Sequence, residues 1–146
     1  MAKYPNYIVI CTFHHNIFET PYSIENRNRG ESKKWRPPLK NQGLFLKNCF
    51  KYGIDLLLVG HSHVSSIHTL YSYEEDENTH PLNIISAGIF NEHGAHIIQP
   101  YLTVNHISYE TNLVGDLDNI ILTPYKYHFD NDVWDKLKII SLPYHT

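Results

Sequence analysis

Residues 54–59 read Ile-Asp-Leu-Leu-Leu-Val, and Gly60, His61, Ser62 and His63 follow at once. A short, nearly continuous apolar run is typical of a strand covered on both faces, as in a parallel sheet. In open α/β sheets, ligands gather beyond the carboxyl ends of such strands. The run therefore predicts a buried central strand that delivers histidines to the edge where chemistry usually takes place.

The Gly-His-Ser-His segment itself has the pattern of a metal site. Gly60 permits a sharp turn after the strand, and His61 and His63 can then present imidazoles to neighbouring metal ions. The alternative is structural, because a single histidine near a strand end is more often hydrogen-bonded than ligated. The strand, the glycine and the spacing together favour ligation, with two ions suiting the spacing better than one.

A second strand-like run, residues 7–13, ends in His14 and His15. Residues 26–38 predict an extended loop, residues 39–52 have a helical rhythm of apolar positions, and Gly53 offers a helix stop. A strand, helix and strand in this order form a parallel pair with a right-handed crossover. We therefore expect the ends of the two strands, and with them His14 and His61, to lie close together.

The two motifs, an apolar strand ending His-His and, about 45 residues later, an apolar strand ending Gly-His-x-His, resemble the C-terminal half of a calcineurin-like metallophosphoesterase. The resemblance covers residues 6–127. It implies an α/β fold that is part of the family's αββα sandwich, with residues 1–146 forming a single partial domain. It also implies that His14 and His61 bind one metal ion and that His63 binds the other. His15 is then placed to support His14 or to face the substrate.

The resemblance further implies hydrolysis of phosphoesters with two divalent ions, and imidazole ligands suit Mn, Fe or Zn. Asp-x-His, Gly-Asp and Gly-Asn-His blocks, which supply the family's other ligands, do not precede His14. We therefore expect a half-built site, inactive until another chain supplies the missing half. A strand that normally lies inside the sheet would then become an exposed edge, which favours a partner chain or self-association. A non-catalytic metal-binding or protein-interaction module is the alternative.

The later part of the chain predicts shorter strands separated by turns. The expected strands, taken as one antiparallel sheet, are residues 66–73, 82–87, 96–109 and 119–127. Residues 132–142 carry Trp134, Leu137 and Ile140 at a spacing of three, which predicts a short helix. His93 and His96 are further candidates to assist a metal or substrate, and the remaining histidines are expected to be structural.

Composition narrows the class of protein. A hydrophobic fraction of 42% with 18% charged residues is ordinary for a globular chain. The two cysteines, Cys11 and Cys49, are too few for a secreted disulfide framework and predict free thiols in a reducing cytoplasm. The amino-terminal residues lack the apolar core of a signal peptide, and no apolar run approaches the ~20 residues that cross a bilayer, so no membrane partner is expected.

Charge is unevenly distributed. Residues 1–52 hold nine Lys or Arg against three Glu, and residues 53–146 hold three Lys against twelve acids. Six of the basic residues lie between residues 27 and 40 beside Trp35, where they could steer a phosphate-rich substrate. A solvated loop is the simpler interpretation, so the sequence leaves nucleic acid open as a partner.

Overall fold

The computed structural model describes residues 7–19, 38–60, 64–72, 81–88 and 102–143. The elements in chain order are β1 (Ile10–Phe13), α1 (Gln42–Lys51), β2 (Leu56–Val59), β3 (Ser66–Leu70), β4 (Leu82–Ser86), β5 (Leu102–Thr111), β6 (Leu117–His128), β7 (Val133–Lys136) and β8 (Ile140–Leu142). They form one sheet of order β1-β2-β4-β3 and a second of order β5-β6-β7, with β8 also paired to β6. The chain therefore has the predicted mixed α/β character.

The first sheet is built around the predicted strand, helix and strand unit. β1 and β2 pair in parallel with Phe13 opposite Val59, and α1 connects them. Asp55 stabilises the start of the unit, because its buried carboxylate accepts a hydrogen bond of 2.7 Å from the backbone N–H of Val9. Both strands and the helix are shorter than their sequence patterns suggested, but the prediction of the unit is confirmed.

The four later strands do not form the single antiparallel sheet that was predicted, because β3 and β4 belong to the first sheet and β5 and β6 to the second. β4 pairs in parallel with β2, on the side of β2 opposite to β1, and only β3 runs antiparallel to β4. All five residues of β4 are buried. A strand buried on both faces belongs inside a sheet, and the free side of β2 was the position that could bury it.

The core lies in two layers, one on each face of the first sheet. On one face, Leu57 and Val59 pack with Cys49 of α1. On the other face, Leu56 packs with Ile120 and Leu122 of the second sheet. Neighbouring residues of β2 thus point to opposite layers, as strand geometry requires. The order of layers is helix, first sheet, second sheet.

The predicted helix over residues 132–142 is also wrong, because this segment forms β7 and β8 along β6. All four side chains of β7 are exposed, so the spacing of apolar residues there did not mark a buried helical face. Trp134 instead lies beside Tyr127 of β6, with 5.1 Å between ring centroids. Asp132, with a φ of 55°, makes the turn that lets the chain return along β6. Among the described residues, no helix is long and apolar enough to cross a membrane.

Cys49 and Cys11 are both free thiols, as predicted. Burial raises the pKa of the Cys49 thiol, and the neighbouring Cys11 raises it further. Cys49 is therefore protonated at neutral pH, and its contribution to stability is lost only as the pH rises through the raised pKa. We expect iodoacetamide at pH 8 to alkylate Cys49 at least ~10-fold more slowly than Cys11. Mass spectrometry of the Cys11→Ser and Cys49→Ser variants measures each rate, and equal rates would contradict the burial of Cys49.

Candidate metal site

The three parallel strands end at the same edge of the first sheet. His14 follows β1, Gly60 follows β2, and Gly88 lies just beyond β4. Backbone hydrogen bonds extend the pairing past the strand ends, from Gly60 N to Phe13 O at 3.1 Å and from Ala87 N to Val59 O at 2.9 Å. The edge at which ligands gather in α/β sheets is therefore formed by the segments that carry the sequence motifs.

The described part of the predicted metal site is the contact between His14 and Gly60. A Cβ atom placed on Gly60 would lie 3.8 Å from His14 Nδ1 and 3.5 Å from His14 O. The His14 imidazole is exposed and lies against the residue that immediately precedes His61. The predicted proximity of His14 to the end of β2 is confirmed, whereas His61 and His63 lie outside the described residues.

His15 is held next to His14 by a series of ring contacts. Its ring centroid lies 5.4 Å from that of His14 and 5.8 Å from that of Phe13, both at steep interplanar angles. Phe13 in turn stacks on Phe45 of α1, with 4.9 Å between centroids. The role expected for His15, to support His14 or to face the substrate, stays a prediction.

Sequence reasoning missed Asn16 as a candidate. Its side chain is 3% exposed, and Nδ2 has no hydrogen-bond partner among the residues that the structure describes. Its backbone carbonyl accepts a hydrogen bond of 2.9 Å from Leu39 N, and the next residue, Ile17, is buried in the core beside α1. The segment after the histidine pair is therefore anchored. The only sign of this burial in the sequence is that the polar residue Asn16 precedes the apolar residue Ile17.

The second sheet approaches the same edge through Thr103 of β5, whose hydroxyl group hydrogen-bonds at 2.7 Å to that of Ser65, the residue before β3. Gly88 lies directly against this pair. The approach of β5 to the end of β4 was not visible in the sequence, because it joins segments far apart in the chain.

Within the described ranges, no three His, Cys, Asp or Glu side chains form a group that could hold a metal ion. His93, His96 and the basic residues from Arg27 to Arg36 lie outside those ranges. Lys40, the last residue of the basic group, is exposed. The described donors at the edge are thus His14 and its neighbour His15.

No protein-family model matches this chain, and no curated protein matches it. The functional assignment therefore depends on the motifs and on the geometry of the sheet edge.

Proposed function

We propose that this chain is the C-terminal part of a calcineurin-like metallophosphoesterase and contributes histidine ligands to a dinuclear metal site. His14, His61 and His63 are the ligands. The observation that supports the proposal best is the contact of His14 with Gly60. That contact places His14 of the His-His motif next to Gly60, the first residue of the Gly-His-Ser-His motif, across the parallel pair of β1 and β2.

The donor set fits borderline divalent ions such as Mn, Fe or Zn, since imidazole is its common ligand type. When bound, two such ions polarise the phosphoryl oxygen and activate a water molecule as nucleophile. The chain's own residues orient the site. Pairing of β1 with β2 sets the position of His14, and the His15 ring lies beside it, with 5.4 Å between centroids. The free thiols fit a reducing, cytoplasmic setting.

A partner chain completes the site in this proposal. Among the described strands, β1 and β3 form the two edges of the first sheet, and Ile10 of β1 is 52% exposed. An edge strand with exposed apolar side chains is a template for pairing with another strand. The same observation favours the second candidate, a non-catalytic module that recruits another protein by pairing along β1.

Metal binding separates the proposed metal site from a protein-interaction module that binds no metal. We expect the purified chain to take up Mn²⁺ or Zn²⁺, and we expect the His61→Ala/His63→Ala variant to bind more than ~10-fold more weakly. A His106→Ala/His128→Ala variant is the matched control, because both residues lie on the second sheet. Isothermal titration calorimetry gives the affinities. Unchanged affinity in the first variant would refute the metal site and favour the interaction module.

Hydrolysis of bis-p-nitrophenyl phosphate with added Mn²⁺ tests the half-site separately. Metal uptake without turnover supports a site that awaits its partner. Turnover by this chain alone, lost in the His61→Ala/His63→Ala variant, would show that the site is complete and that the proposed need for a partner is wrong.

A further inference from the structure

A cavity of about 250 Å³ lies beside the candidate metal edge, between the first sheet and the segment after His15. Its floor is the last part of the sheet. Val59, Ser86 and Ser66 lie side by side on β2, β4 and β3, since Ser86 pairs with both of the others. Ile84 and His68, another paired row, extend the floor away from the edge.

The roof of the cavity is the segment from Asn16 to Glu19. Ile17 is 1% exposed and belongs to the core cluster beside α1, while the Phe18 ring packs on His68 with 4.9 Å between centroids. The hydrogen bond from Leu39 N to Asn16 O fixes the start of the roof. The cavity is therefore bounded by residues that the fold already holds in place.

The chemistry of the walls selects a class of ligand. Ile17, Phe18, Val59, Val64 and Ile84 make the lining mainly apolar, and Ser65, Ser66, Ser86, His68 and Glu19 also border the cavity. Asn16 adds a buried amide donor, Nδ2, that lacks a partner among the described residues. Buried amide groups normally find a hydrogen-bond partner. Because the second side-chain torsion of asparagine has broad preferences, the amide can turn toward an acceptor in the cavity.

We infer that this cavity binds a small, mainly apolar organic molecule that carries one hydrogen-bond acceptor, which accepts from Asn16 Nδ2. The volume of about 250 Å³ is below the range of ~300–1,000 Å³ typical of drug-sized ligands, so the molecule is no larger than a substituted single ring. Binding needs no metal, and the site stands whether or not the neighbouring edge holds ions.

Two probes of similar shape test the inference on the intact chain in the presence of EDTA. Acetophenone has a carbonyl acceptor, and ethylbenzene has none. We expect acetophenone to shift the methyl resonances of Ile17, Val59 and Ile84, and the side-chain amide resonances of Asn16, and to bind at least ~10-fold more tightly than ethylbenzene. Failure of both probes to shift these resonances would overturn the inference.

Two variants locate the binding. Asn16→Ala should remove the preference for acetophenone, whereas Asn48→Ala, at an exposed helix position, should preserve it. Should Asn16→Ala unfold, Ser66→Leu fills the cavity from β3 and should abolish binding of both probes. If Asn16→Ala still bound acetophenone more tightly than ethylbenzene, or if Ser66→Leu still bound either probe, the probes would bind outside this cavity and the inference would be wrong. Metal titration of separate samples without EDTA separates this result from the proposed phosphoesterase function.

Discussion

Replacing Gly88 by alanine is expected to destabilise the fold by about 3 kcal/mol or more. A Cβ atom at this position would lie 1.6 Å from Thr103 Oγ1, 2.6 Å from Ser65 Oγ and 2.9 Å from Thr103 Cβ. Thr103 is 8% exposed and hydrogen-bonded to Ser65, so it has little room to move. The added methyl group would therefore force the second sheet away from the end of β4.

Gly43→Ala is the matched control. Nothing lies within 4 Å of a Cβ atom at Gly43, which is in the first turn of α1. Alanine has the higher helix propensity, so this variant should gain about 0.5 kcal/mol. Urea unfolding followed by circular dichroism measures both changes.

A second change at Thr103 tests the cause of the destabilisation. Thr103→Ala removes Oγ1 but leaves Cβ, so the Gly88→Ala/Thr103→Ala variant should recover part of the loss. A Gly88→Ala protein as stable as the wild type would show that the two sheets do not approach each other here.

Replacing either of two adjacent leucines in β2 by alanine should lower the free energy of unfolding about as much as Gly88→Ala does. Leu56 and Leu57 are both 0% exposed, yet Leu56 packs against the second sheet and Leu57 against the helix layer. Each Leu→Ala variant leaves a cavity in a different layer. We expect each to lose about 2–5 kcal/mol of unfolding free energy.

Leu44→Ala provides the control, because Leu44 is 63% exposed on α1 and should change stability by less than about 0.5 kcal/mol. Urea midpoints of the three variants are compared. If only one of Leu56→Ala and Leu57→Ala were destabilising, β2 would have one solvated face, contrary to the three-layer arrangement.

The elements that the sequence predicted correctly are those whose signal is local. The apolar run of residues 54–59 became the buried strand β2, and the helical rhythm before Gly53 became α1. The connection between β1 and β2 contains α1, and a strand, helix and strand in this order normally form a parallel pair. The position of His14 beside the end of β2 follows from these local signals.

The predictions that proved wrong concerned pairing between segments. β4 reads as a buried strand in either kind of sheet, and its parallel partner is chosen by which edge of β2 is free. The spacing of Trp134, Leu137 and Ile140 fits a helix locally, but the long edge of β6 offered backbone hydrogen bonds to β7 and β8. Tertiary context overrides a weak local preference in such short segments.

The sequence alone thus determined the α/β class, the strand, helix and strand unit, and the two histidine motifs, because periodicity and turn residues act over a few positions. Only the tertiary structure decided that Gly88 meets Thr103, that β4 lies beside β2, and that the buried residue Asn16 borders a cavity. Those features depend on packing between segments distant in sequence. The physical reason is that burial and steric contact are properties of the assembled layers and have no local pattern in the chain.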